Sequence, residues 1–167
     1  SPTIKDIIIT GNSVVHHYGG GGGLVCYWGA SPTLENVLIY GNYASNKAGG
    51  IRLYQGSNPI LKNVTIANNT AGIYGGGGMY LNSSNPNMTN SIMWGNSPES
   101  IYGDSGTPLI TYSDIEGGWE GEGNIDDNPQ FTDPDNGDYT LMETSPCIDT
   151  GTADIDGDGI DDITDYS

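Results

Sequence analysis

The chain has 167 residues, and its four Lys and Arg face 21 Asp and Glu, so the formal net charge at pH 7 is −17. Binding to nucleic acid needs a cationic surface, and anionic lipid would repel this chain, so neither is an expected partner. No apolar run reaches the roughly 18 residues of a membrane-spanning helix, so we expect no membrane insertion. Apolar residues make up only 35% and glycines number 27, which favours short strands and tight turns.

The first evidence for β-strands is a sequence pattern that is repeated along the chain. A small polar residue, a proline and an alternating apolar stretch occur together five times, with prolines at positions 2, 32, 59, 86 and 108. Apolar residues stand two and seven positions after each proline, as Ile4 and Ile9 do in the first copy; the fifth position is apolar in the first three copies and serine in the last two. The spacing of two is that of a strand with one buried face. A period of about 20–50 residues indicates a solenoid.

A second strand follows in the first three copies, as GGLVCYW, GGIRLYQ and GGMYLNS from Gly22, Gly49 and Gly77. Because side chains alternate between the two faces of a strand, we expect the Leu, Ile and Met residues of these segments to face the core. The same alternation predicts an outward stripe, which consists of Tyr27, Arg52, Tyr54 and Tyr80. A third short stretch lies between the two strands. Two or three short strands in coils of about 27 residues predict a parallel β-helix of about five coils.

Asparagine recurs at two fixed positions of the repeat. Identical polar residues at one phase suggest ladders inside the turns, where each amide bonds the coils above and below it. One predicted ladder, four positions after the prolines, contains Asn36, Asn63 and Asn90; the other, ten positions after them, contains Asn12, Asn42, Asn69 and Asn96.

These coils, together with the segment DNPQFTDPDNGDYTLMETSPCIDTG at 127–151, resemble the right-handed parallel β-helix repeat proteins of bacterial surfaces. The resemblance implies an all-β, right-handed parallel β-helix with an irregular C-terminal cap, in an extracellular, cell-surface location. It says less about activity, because one fold serves many functions. We expect β-helix coils over 1–112, the last coil and cap over 113–150, and an Asp-rich segment over 151–167. The expected cap residues are Phe131, Tyr139, Leu141 and Ile148.

The Asp-rich segment has the spacing of a calcium loop. Carboxylates stand at loop positions 1, 3, 5, 9 and 12, with glycine at position 6. It resembles the loops of EF-hands, dockerins and thrombospondin type 3 repeats, although position 12 is Asp instead of Glu and the flanking helices are missing. A solvated acidic tail is the alternative. The predicted Ca²⁺ ligands are Asp154, Asp156, Asp158, the carbonyl of Ile160, Asp162 and Asp165.

Three functions are open at this point. We expect first a non-catalytic structural or adhesive module of the cell surface, which associates end to end with itself or with neighbouring coils into a filament, fibre or surface layer. A carbohydrate-binding module is the second, because the tyrosine stripe with Arg52 suits stacking on surface polysaccharide. The third is a polysaccharide lyase of the pectate lyase type. Such an enzyme needs a base beside carboxylates. The expected neighbours of the candidate base Arg52 are Val25 and Tyr80, neither of which is an acid, so we predict no catalytic residues.

Overall fold

The computed structural model describes residues 1–16 and 20–154 of the chain. It is all-β, with one short 3₁₀ helix at Pro134–Asn136. The strands, in chain order, are β1 (Thr3–Thr10), β2 (Ser13–Val14), β3 (Leu24–Cys26), β4 (Thr33–Tyr40), β5 (Tyr43–Ala44), β6 (Ile51–Tyr54), β7 (Ile60–Ala67), β8 (Thr70–Ala71), β9 (Met79–Asn82), β10 (Asn87–Thr89), β11 (Ile92–Trp94), β12 (Ile101–Ser105), β13 (Leu109–Thr111), β14 (Asp114–Ile115), β15 (Phe131–Asp133) and β16 (Asp138–Leu141).

Three parallel sheets run along the solenoid. The first sheet has the order β1-β4-β7-β10-β13, with β11 and β14 completing its last two rungs; the second has the order β12-β9-β6-β3, and the third β2-β5-β8. The register follows the repeat, since Ile4 pairs with Leu34 and Leu34 with Leu61. The predicted β-helix is confirmed, and its five stacked rungs enclose about four turns.

The core is the stack of inward side chains. Leu34, Ile39 and Val64 come from the first sheet, and Ile51 and Leu53 from the second, and all are at most 2% exposed. Apolar burial of this kind is worth roughly 25 cal/mol per Å². Each coil therefore gains its stability from the coils on either side, as in other repeat proteins. Both cysteines, Cys26 in the core and Cys147 near the C-terminal end, are free thiols.

The asparagine ladder ten positions after the prolines is buried at Asn42, Asn69 and Asn96 and exposed at Asn12, in the first coil. The Oδ1 atom of Asn69 accepts the backbone N–H of Asn42 at 3.0 Å and its side-chain amide at 2.9 Å. The Nδ2 atom of Asn69 donates to the carbonyl of Ile39 at 2.9 Å and to Asn96 Oδ1 at 3.0 Å. Asn12 bonds Asn42 in the same way. The ladder thus satisfies turn backbone that the core would otherwise leave unpaired.

The other ladder is at the surface, which corrects the inward placement expected for Asn63. Asn36 and Asn63 are exposed and have φ near +53°, in the left-handed region. The strand pairing skips this position. One residue in this conformation shifts the alternation, which explains why inward residues stand two, five and seven positions after each proline. Asn36 donates to Asp6 at 3.0 Å and Asn63 to Asn36 at 3.4 Å, whereas Asn90 bonds the backbone of Thr152 instead.

The last coil is closed by different residues than expected. Trp119, in the acidic loop after β14, packs against the core. The amide of Asn124 donates to the carbonyls of Ile110 at 2.9 Å and Trp119 at 3.2 Å, and Ile115 N–H bonds the carbonyl of Ile125 at 3.0 Å. The segment therefore covers the open edge of the final rung, which would otherwise expose unpaired backbone.

Residues 127–154, here called the strap, run back along the outside of the first sheet. The strap contains the antiparallel hairpin of β15 and β16. Tyr139 packs on Tyr40 with 4.7 Å between ring centroids, and its hydroxyl accepts a hydrogen bond from Asn68 at 2.9 Å. The predicted capping role of Tyr139 and Phe131 is therefore replaced by a lateral one, since Phe131 packs edge-on against Tyr139.

Candidate functional site

The outward face of the second sheet carries an aromatic platform, formed by Tyr27, Trp28, Arg52 and Tyr54. Tyr27 directly follows β3, and Tyr54 is the last residue of β6, one rung above. Their rings lie 5.1 Å apart between centroids and are tilted by 50°. Trp28 lies 5.9 Å from Tyr27 and is 81% exposed. The platform is thus a wide aromatic surface on a rigid sheet.

Arg52 is fixed between the two tyrosines of the platform. Its guanidinium carbon is 5.4 Å from the centroid of the Tyr27 ring and 5.4 Å from that of Tyr54. Such contacts between a cation and aromatic faces contribute about 0.5–2 kcal/mol each. The register partners of Arg52 are Val25 and Tyr80, as predicted from the repeat. Three of the four predicted glycan-contacting residues therefore lie together.

Tyr80 is the exception, and its predicted place at the surface is wrong. Its side chain is 0% exposed, although it stands at an outward strand position. Lys47, from the turn between β5 and β6, lies over its ring at 4.3 Å from the centroid. Tyr102, from the next rung, stacks on it at 6.0 Å. Tyr80 therefore cannot stack on a ligand.

The Tyr80 hydroxyl is the centre of a clamp that we define as Lys47, Tyr80 and Asp104. Lys47 Nζ donates a hydrogen bond to the hydroxyl at 2.6 Å, and the hydroxyl donates to Asp104. Lys47 Nζ also lies 3.6 Å from the Asp104 carboxylate. These three residues come from three successive coils, so the clamp ties the coils together on the outside of the sheet.

The clamp holds its groups in fixed protonation states. Burial, and then the hydrogen bond to Asp104, raise the pKa of Tyr80 above its usual value. The hydrogen bond from Tyr80, followed by the charge of Lys47, lowers the pKa of Asp104. At neutral pH Tyr80 is therefore a neutral phenol and Asp104 a carboxylate. Such a buried, protonated tyrosine is poorly suited to act as a general base.

Asp104→Asn is expected to lower the free energy of unfolding at pH 7 by about 1 kcal/mol, because a charged hydrogen bond is lost at a half-exposed site. The folded state lowers the pKa of Asp104, so its contribution is present above the unfolded pKa and disappears as the pH falls below about 4. Urea unfolding of both proteins from pH 7 to pH 3 measures this. The exposed Asp135→Asn is the control for the charge change, and a wild-type advantage that persists undiminished at pH 3 would contradict the clamp.

A second buried polar pair, Asp114 and Cys147, lies between the strap and the first sheet. Asp114 is 2% exposed, and the thiol of Cys147 donates to its Oδ2 atom at 3.1 Å. Burial raises the pKa of Asp114. Burial, followed by the bond to Asp114, raises the pKa of Cys147 to about 12. The thiol is therefore protonated and unreactive, and this pair anchors the strap.

Only the first predicted calcium ligand, Asp154, belongs to the part of the chain that the structure describes. The other predicted ligands, Asp156, Asp158, Ile160, Asp162 and Asp165, lie outside it. Within residues 1–16 and 20–154, no three His, Cys, Asp or Glu side chains are grouped so that they could hold a metal ion. The Ca²⁺ site stays a prediction.

Sequence reasoning missed Trp28, Lys47 and Asp104. Trp28 follows the alternating strand and has a φ of 51°, so the period of two gives no orientation for it. The pairing of Lys47 with Asp104 joins a turn residue to a residue in the irregular part of β12, 57 positions further along the chain. A signal was present only for Trp28, as a large aromatic residue adjoining the tyrosine stripe.

Comparison with known proteins identifies the architecture. Residues 1–128 match the family model described as the right-handed β-helix region. No curated protein and no solved structure gave a significant match. In the described residues, the structure contains no helix with the length and apolar character needed to cross a membrane.

Proposed function

Because the chain belongs to the right-handed β-helix family, whose stacked coils present long lateral sheets, we propose that it is a non-catalytic extracellular module that binds carbohydrate through the aromatic platform. The observation that carries this proposal is the adjacent placement of Tyr27, Tyr54 and the exposed Trp28 on one rigid face. The acidic, lysine-poor composition suits a solvated surface protein.

Aromatic platforms suit sugars for a physical reason. A pyranose ring has an apolar face of C–H groups and a polar rim of hydroxyls, so it can stack on an aromatic ring while its rim stays solvated. Tyrosine and tryptophan add a hydroxyl or an indole N–H for hydrogen bonding. The rings of Tyr27 and Tyr54 are already in contact, so binding requires little ordering of side chains.

The surroundings of the basic residues favour binding over cleavage. Lys47 Nζ already donates to Tyr80, and within the described chain Arg52 forms no salt bridge with a carboxylate that could serve as its acid partner. The family also accommodates polysaccharide-cleaving enzymes. Unsaturated product released by the wild-type chain from an acidic polysaccharide, and lost in Arg52→Ala, would establish the lyase alternative.

Trp28→Ala is expected to weaken carbohydrate binding about tenfold, since the stacking of one aromatic ring contributes about 1 kcal/mol or more. Affinity electrophoresis in gels containing soluble polysaccharides measures the retardation of wild type and variant. Tyr43→Ala is the matched control, because Tyr43 is an exposed aromatic residue of β5 in the third sheet.

Equal retardation of wild type and Trp28→Ala would contradict the platform as the binding surface. Failure of the wild-type chain to bind any of a broad panel of neutral and acidic polysaccharides would overturn carbohydrate binding altogether. The expected end-to-end association with itself or neighbouring coils, and the cell-surface location, stay predictions that this experiment does not address.

A further inference from the structure

Arg52, the cation of the platform, has no salt-bridge partner among the residues that the structure describes. Between residues 1–16 and 20–154, the salt bridges join Lys5 to Glu35 at 3.1 Å and Lys47 to Asp104 at 3.6 Å, and Arg52 takes part in neither. Although the chain has 21 acidic residues, none of those in the described part of the chain forms a salt bridge with Arg52. Its charge is therefore available to a ligand.

Arg52 is also held in one orientation. The tyrosine rings flank its guanidinium, and the backbone of the Gly20 turn lies close to its side chain, so that a Cβ atom at Gly20 would lie 3.1 Å from Arg52 Cδ and Nη1. The Nε atom is buried and has no hydrogen-bond partner in the described part of the chain. The buried Nε faces the protein, so a ligand would be met by the two terminal nitrogens of the guanidinium, whose fixed planar fork matches the two oxygens of a carboxylate.

The charge of the whole chain limits how many anionic groups the ligand can carry. At −17, the protein repels a polyanion over its whole length. One fixed guanidinium compensates one carboxylate, and the charge of Lys47 is already balanced by Asp104. A ligand with many carboxylates would therefore bring repulsion that the platform does not offset.

We infer that the aromatic platform, with Arg52 at its centre, binds a carbohydrate that carries one carboxylate, such as a uronic acid at the end of an otherwise neutral glycan. The inference rests on the proposed carbohydrate-binding function and specifies its ligand. Tyr27 or Tyr54 stacks on the sugar ring, Trp28 extends the contact to the neighbouring sugar, and Arg52 receives the carboxylate.

Isothermal titration with a matched pair of ligands tests this. One is a β-1,4-linked glucose tetrasaccharide, and the other is the same molecule with its non-reducing end oxidised to glucuronic acid. The wild-type chain is expected to bind the acidic form about tenfold more tightly at low salt, and to lose most of this preference in 1 M NaCl.

Arg52→Gln is expected to abolish the preference for the acidic over the neutral form, which is measured as the ratio of the two dissociation constants within the same variant. Arg52→Lys, which keeps the charge but not the fork, should retain part of the preference. Thermal melting of each variant shows whether it is folded, and the Gln and Lys variants together separate loss of charge from loss of packing against the tyrosines.

The outcomes separate the two proposals. Equal binding of both ligands, sensitive to Trp28→Ala, would overturn the carboxylate inference and leave carbohydrate binding intact. Binding of neither ligand, together with no binding in the polysaccharide panel, would overturn both. Tighter binding of polygalacturonate per site than of the singly charged tetrasaccharide would overturn the limit to one carboxylate.

Discussion

Asn69→Ala is expected to lower the free energy of unfolding by about 4 kcal/mol. The side chain is 0% exposed and makes four hydrogen bonds of 2.9–3.0 Å to the coils above and below. Its removal leaves the backbone N–H of Asn42 and the carbonyl of Ile39 buried without this partner. Each buried group left unpaired costs about 1–3 kcal/mol. Urea unfolding followed by circular dichroism measures the change.

Asn63→Ala is the control for the buried ladder. Asn63 stands at the other asparagine position of the repeat, but it is exposed, and its amide reaches Asn36 only at 3.4 Å. Asn63 has a φ of 54°, in the left-handed region, and an alanine in this conformation lowers the free energy of unfolding by about 1 kcal/mol. A loss for Asn69→Ala no larger than that for Asn63→Ala would show that the buried ladder does not hold the coils together.

Gly49→Ala is expected to destabilise the fold by about 3 kcal/mol, because two rungs approach closely at this position. A Cβ atom at Gly49 would lie 2.5 Å from the backbone N and 2.6 Å from the carbonyl O of Thr70. Real Cβ atoms do not approach so closely, so β8 would have to shift and weaken its 2.9 Å hydrogen bond to Asn42. Overpacking of this kind costs about 1–3 kcal/mol, and a lost hydrogen bond adds to it.

Gly56→Ala separates crowding from backbone conformation. A Cβ atom there meets nothing within 4 Å, but the φ of +77° disfavours alanine by about 1 kcal/mol. Guanidinium unfolding of both variants, with the slope checked for two-state behaviour, gives the comparison. If the two variants lose equal stability, close packing between the rungs is not what requires glycine at position 49.

The sheets could be predicted from the sequence because one physical pattern repeats in every coil. Inward apolar residues at fixed phase place Ile4, Leu34 and Leu61 in one stack, and the register of β1, β4 and β7 follows from it. The buried amide ladder through Asn42 and Asn69 follows from the same phase. A repeated pattern predicts the contacts that are themselves repeated.

The errors occur where the coils differ or the backbone leaves the extended region. Alternation places Tyr80 outward, but Lys47 and Tyr102 cover it, and the turn that carries Lys47 is not part of the repeated pattern. The phase of the repeat suggested an inward place for Asn63, but the structure shows this residue exposed, with a left-handed backbone conformation. Trp119 closes the core from a loop with no period at all.

The difference between repeated strands and unrepeated turns also decides which residues form the site. The predicted residues come together because β3 and β6 are aligned: Arg52 and Tyr54 lie in β6, and Tyr27 directly follows β3. Trp28 joins them from the turn that comes next. Tyr80, which sequence alternation assigned to the same stripe, instead supports the sheet from within the clamp. The platform is therefore shorter than the predicted stripe and is concentrated on the first two rungs.

The most direct test of carbohydrate binding by the platform is an NMR titration of the ¹⁵N-labelled chain with the glucuronic-acid-terminated tetrasaccharide. The chain has three tryptophans, and their indole N–H signals report separately on the platform through Trp28, on the first sheet beside the strap through Trp94, and on the closed end through Trp119. We expect the Trp28 indole and the amides of Tyr27, Arg52 and Tyr54 to shift together in a saturable manner, while Trp94 and Trp119 stay unchanged. Shifts confined to Trp94 and the strap, with Trp28 unmoved, would contradict the account.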